Sequence, residues 1–186
     1  MAREDTVWNL NYPGIIIRND ITKNPTFPQT VRDQLNLIIS KPCGLLLLDG
    51  INECAIDYQA IGFKIAILRA SNKVDLNHAD AITRWEGGNV TRMTNEINGR
   101  DGTGTTSAIF YNPNVYQTPD GDRPPFIGLA HELIHAYHNL IGDTPATRHE
   151  DEFRVAGLEP YEDETITENK IRAEHNIPPR TQYSGI

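Results

Sequence analysis

The chain has 186 residues, enough for one domain with a real core. With 38% hydrophobic residues, 14 Gly and 12 Pro, its composition suits a compact enzyme-like fold with substantial loops, not a helical bundle or a disordered tail. A formal charge of −8, with 17 basic residues scattered along the chain, argues against a nucleic-acid footprint. We expect a single domain over 1–186, with an N-terminal α/β part of about 1–123 and a histidine-bearing helix and C-terminal part of about 124–186.

In chain order, residues 26–40 place Val31, Leu35, Ile38 and Ile39 at helical spacing behind the cap candidate Thr26, and Lys41-Pro42 stops the pattern. Two short apolar segments, 44–48 and 61–68, are separated by the turn-prone Asp49-Gly50 and read as buried or half-buried strands, a hairpin or a split pair. Both fall far below the ~20 residues that span a bilayer, and the N-terminus has no cationic segment followed by an apolar one. Neither a membrane partner nor Sec-type export is expected. Cys43 and Cys54 form no CxxC pair and no disulfide framework, so a reduced compartment is the default. Residues 85–106 are rich in Gly, Asn and Thr and read as a long surface loop with at most a short strand at its start. SAIFY, 107–111, makes a compact strand. YQTPDGDRPP, 116–125, is turn chemistry that ends in two prolines suited to a first helical turn. A helix then runs from about Phe126 to Ile141 and stops at Gly142. A short helix over 150–156 ends at Gly157, and a last one from about Thr167 to His175, capped by Thr165 or Thr167, is cut off by Pro178-Pro179. These elements make an α+β fold with a small mixed or antiparallel sheet.

HELIHAYH, 131–138, is the densest chemistry in the chain. Four residues apart on a helix, His131 and His135 aim two imidazole nitrogens at a common point, the arrangement that zinc takes at about 2.0–2.1 Å from each. Glu132, rotated about 100° from His131, is a poor third ligand but is placed to take a proton from an attacking water. His138 lies about 10 Å from His131 by helix rise and cannot share one ion with both, so its role is packing or support. A catalytic zinc needs a third protein ligand and one open position. Ile141 stands where some zinc proteases place a third histidine. The acids downstream, Glu150, Asp151, Glu152, Glu159, Glu162, Asp163, Glu164, Glu168 and Glu174, all qualify by type, and spacing alone does not choose among them.

HELIHA followed by EDEFRVAG, 150–157, resembles the light chains of the clostridial neurotoxins, where an E-x-R-x-x-G segment supplies the zinc-ligating glutamate. That resemblance implies Glu152 as third ligand, with Glu168 as the alternative, and a zincin-like, gluzincin-like metalloprotease fold. It also implies that Glu168, Arg180 and Tyr183, spaced as a later glutamate and an R-x-x-Y pair, support the metal site and the oxyanion. Over HELIHAYHN, EDEFRVAGLE and ITENKIRAEHNIPPRTQY (166–183) the chain is similar to the small NleD-like zinc metallopeptidases. Those are type III secreted effectors of bacterial pathogens and toxin domains of larger proteins. The likeness implies one zinc ion per chain, secretion without a Sec signal, action in the host cytoplasm, and a protein substrate associated with host signalling, such as a kinase.

Three functions compete. In a zinc endopeptidase, Glu132 moves the protons, Arg180 and Tyr183 stabilise the oxyanion, and strand 107–111, at a sheet edge, pairs with an extended substrate. A monomer is expected for it. In a non-catalytic binding domain, zinc only staples the fold, though a fourth protein ligand would then be required. An antibacterial toxin or self-processing protease domain would use the same residues on a different target.

Overall fold

The computed structural model describes residues 3–20, 24–57, 65–69 and 89–184. Five strands, β1 (Arg3–Val7), β2 (Ile15–Asp20), β3 (Ile65–Arg69), β4 (Val90–Met93) and β5 (Ser107–Tyr111), form one sheet in the order β1-β2-β3-β5-β4. The β2-β3 and β3-β5 pairs are parallel, and the two outer pairs are antiparallel. Parallel strands are covered on both faces and run apolar without alternation. In β2, Ile15, Ile16 and Ile17 are all buried. A two-stranded ribbon, β6 (Gln117–Thr118) and β7 (Gly121–Asp122), leads into the helix that carries the histidines.

Five helices complete the α+β fold: α1 (Phe27–Ile39), α2 (Pro42–Asp57), α3 (Pro125–Ile141), α4 (Arg148–Ala156) and α5 (Glu168–Glu174). α1 buries Phe27, Val31, Leu35 and Ile38, the stripe that its spacing predicts. Segment 44–48 is a correction: it is helical, not a strand, and forms no hairpin with 61–68. Pro42 opens α2 three residues after Ile39 ends α1, and its buried positions Cys43, Leu47, Leu48 and Ile51 follow a helical period, with Leu45 and Leu46 left exposed. Four consecutive leucines hide that period, and leucine is a strong helix former. Of 61–68, residues 61–64 lie outside the described residues, and the rest belongs to β3.

A second correction concerns 107–111. β5 is not an edge strand, because β3 pairs on one side of it and β4 on the other. Among the described residues the edge on that side is β4, near the start of the region expected to be a surface loop with at most a short strand. Residues 85–88 lie outside the described residues, while 94–106 are docked on the C-terminal end of α3. There Thr105 N–H bonds the Asn139 carbonyl at 2.8 Å, and Gly102 N–H bonds that of Gly142 at 3.0 Å.

α3 is packed on nearly every side, with Ile127, Leu129, Ala130, Leu133, Ile134, Ala136 and Leu140 in the hydrophobic core. Its end and that of α4 are set by Gly142 and Gly157, at φ 72° and 74°, a left-handed backbone that glycine adopts without strain. No helix among the described residues is long and apolar enough to cross a membrane.

Candidate metal centre

His131 and His135 project from α3 one turn apart, and α4 delivers Glu152 to them. Thr147 caps α4 by accepting the Glu150 N–H at 3.2 Å, while its hydroxyl donates to the Glu150 carboxylate at 2.8 Å. Arg154 straps the helix down, with Nη2 2.7 Å from Asp143 and Nε 2.9 Å from Glu164. The E-x-R-x-x-G segment thus divides into a donor, an anchor and a helix stop. Its donor atom, Glu152 Oε2, lies 3.0 Å from His131 Nε2 and 3.3 Å from His135 Nε2, and the two imidazole nitrogens are 3.2 Å apart. Ligands about 2.0–2.1 Å from a tetrahedral zinc stand about 3.3 Å from one another. The triangle fits such an ion, and the donor group has these three members among the described residues.

Each histidine is held from behind by a second carboxylate. Glu168 Oε2 is 2.8 Å from His131 Nδ1, and Asp151 Oδ2 is 3.0 Å from His135 Nδ1. Such partners accept a hydrogen bond from Nδ1–H, which keeps the proton on Nδ1 and leaves the Nε2 lone pair free for a metal. Glu168 therefore stands behind His131 and outside the donor triangle. It is fully buried, and its Oε1 meets Arg172 Nε at 2.6 Å one turn along α5. Burial opposes its charge, but His131, Arg172 and Arg180 hold its carboxyl down at about 2. Burial likewise opposes charge on both imidazoles, yet the facing carboxylates raise His131 above its ordinary value and His135 well above it. Protons and a metal ion therefore compete for the same nitrogens.

Glu132 is buried beside the triangle, where the Thr91 hydroxyl of β4 donates to its Oε2 at 2.8 Å. Tyr183 stacks on His131 at 6.0 Å between ring centroids, and the Arg180 guanidinium lies 3.9 Å from the centre of the tyrosine ring. Burial first, then the charge of Glu152, pushes the Tyr183 phenol far above its ordinary value, so it stays a donor. The segment beyond Pro179 is pinned rather than frayed. Arg180 Nη2 is 2.6 Å from Asp120, Ser184 N–H donates to the same carboxylate, and Asn169 exchanges two hydrogen bonds with the Arg180 backbone. All the expected site residues meet at one place. His138 does not join the triangle; burial pushes it down to about 4, and it packs in the last turn of α3.

Asp151, Arg172, Asp120 and Thr91 carry parts of the centre that sequence reasoning did not assign. For Arg172 the signal was present, four residues after Glu168 on a helix. For Asp120 and Thr91 it was not, because their contacts span 60 and 41 residues of sequence.

Residues 17–183 match the model of the Peptidase_M91 family, described as effector protein. The chain belongs to this peptidase family. No curated protein matches the M91 chain. Among solved structures, the crystal structure of botulinum neurotoxin type G light chain aligns with a TM-score of 0.49 at 17% identity. The alignment covers 99% of the M91 chain and 57% of that light chain.

The centre opens on a cleft of about 510 Å³, walled by β4, α3, α4 and the C-terminal segment.

Proposed function

We propose that this chain is a zinc endopeptidase that hydrolyses a peptide bond in a protein substrate. The observation that carries the reading is the donor triangle of His131, His135 and Glu152, with Glu132 beside it, at the base of an open cleft. Three protein donors leave one coordination position free, the mark of a catalytic rather than a structural site. Zinc held there supplies a Lewis acid that polarises the scissile carbonyl and makes water a nucleophile near neutral pH.

The protein groups supply the rest. Glu132 accepts a proton from the attacking water and passes it to the leaving amine, with Thr91 fixing the orientation of its carboxylate. Tyr183 donates to the developing oxyanion, and Arg180, fixed by Asp120, holds the tyrosine ring in place and adds positive charge next to it. An extended substrate segment lies along the free edge of β4, whose residues 90–93 line the cleft, and gains main-chain hydrogen bonds there. The family description supports an effector with a protein target in a host. A signalling kinase as that target, type III delivery, action in the host cytoplasm and a monomeric state rest on the NleD-like resemblance.

The test compares cell lysate treated with wild-type protein and with Glu132→Gln, mapping new protein N-termini by mass spectrometry. The reading expects discrete new termini with the wild type alone. Identical profiles from the two proteins would remove it.

A further inference from the structure

Arg123, between β7 and α3, is a buried cation on the cleft wall that no residue among the described ones matches with an ion pair. Its side chain is 7% exposed, and its Nε is buried with no hydrogen-bond partner. The other buried arginines near the centre are paired, Arg172 with Glu168 and Arg180 with Asp120. Asn89, just ahead of β4 and 6% exposed, shows the same pattern. Its Oδ1 accepts the Asn112 N–H at 2.8 Å, while its Nδ2 is buried with no partner. A Cβ on Gly128 would lie 2.6 Å from Asn89 Nδ2 and 3.4 Å from Arg123 Nε. The Asn89 amide thus packs against Gly128 where a side chain would otherwise stand, with the Arg123 guanidinium near the same point. Orphaned buried donors are rare in native structures. The cleft wall is mixed in charge, with Glu132, Asp151 and Glu152 alongside Arg92, Arg148 and Arg180.

The position fits a substrate side chain. Gly128 is one helical turn before Glu132, about 6 Å along the axis. Asn89 is two residues before Thr91, which touches Glu132, and a strand rises about 3.3 Å per residue. We infer that Arg123 and Asn89 form a subsite for an anionic substrate side chain, carboxylate or phosphate, about two residues from the cleaved bond. The inference rests on the peptidase reading and names the substrate class of that same cleft.

The experiment digests a peptide library that contains Asp, Glu, phosphoserine and neutral residues at every position, using wild type, Arg123→Ala, Asn89→Ala, Gly128→Ala and Glu132→Gln. Wild-type cuts should share an anionic residue at one fixed position, and the phosphopeptide and carboxylate arms identify which anion is preferred. In Arg123→Ala the ratio of kcat/KM for anionic over neutral peptides should fall about 30-fold or more, as expected when one partner of a buried charge pair is removed. Gly128→Ala, whose methyl group would displace the Asn89 amide without removing the charge, should lower the same ratio, and Asn89→Ala gives an independent reading if Arg123→Ala does not fold. Glu132-dependent cuts with no anionic preference, or a preference that survives in the folded variants, overturn the subsite and leave the peptidase reading standing. A library that wild type leaves uncut overturns both.

Discussion

The two sides of α3 are held by different physics. Towards the sheet, α1 and α2, it presents Ile127, Ala130, Leu133, Ile134 and Leu140, which belong to one hydrophobic cluster. Towards α4 and α5 it presents His131 and His135, whose neighbours are carboxylates, and Glu132 beside them meets the Thr91 hydroxyl of β4. Apolar burial is non-directional and tolerates repacking, so the first side fixes where the helix lies. The second side depends on distances of about 3 Å, so it fixes what the helix can hold. Damage to the two sides should therefore separate stability from metal binding.

The largest separation is expected from His131→Ala or Glu152→Gln set against Leu133→Ala. The first two should lose bound zinc while the chain stays folded, because each removes one of three donors. Leu133→Ala should cost about 2–5 kcal/mol of unfolding free energy in denaturant titrations. A His131→Ala protein that unfolds as readily as Leu133→Ala would erase the distinction between the two sides.

Tyr183→Phe sharpens the comparison within the polar side. It should keep zinc and KM but lose about 10²–10³ in kcat, as for the removal of one oxyanion donor. A rise in KM with kcat unchanged would make Tyr183 a binding group instead. Smaller still, Glu168→Gln and Asp151→Asn should each weaken zinc about 10–100-fold, measured by chelator competition, because they act through His131 and His135.

The smallest effect lies at the end of the apolar side. Burial, with the Arg154 charge, holds His138 down at about 4, below its unfolded value near 6.5, so between those pH values the unfolded chain binds the extra proton. Stability should therefore fall as pH drops through that window, by about 1 kcal/mol at pH 5.5. Comparing the pH slope of thermal stability between wild type and His138→Gln, both stripped of metal, isolates this group. Equal slopes would show that His138 is not buried neutral.

The same division accounts for what the sequence made legible. α1, α3, α4 and α5 announce themselves by period, caps and stop signals: Thr167, Gly142 and Gly157 act locally and were readable locally, whereas the cap Thr147 starts α4 two residues ahead of the expected helix. The sheet was not. A run such as residues 15–17, apolar on both faces, carries no period, and pairing is set by residues far apart, so β5 could be recognised as a strand but not placed between β3 and β4. At the centre, residues from one helix or one motif were readable, whereas Thr91, Asp120, Asn89 and Arg123 reach the cleft from other parts of the chain.

The central claim is that His131, His135 and Glu152 hold a catalytic zinc. Elemental analysis of protein purified without added metal or chelator tests it directly, run on wild type and His135→Ala in parallel. The account predicts about one zinc per wild-type chain and almost none in the variant. Metal-free wild type, or equal zinc in both proteins, would contradict it.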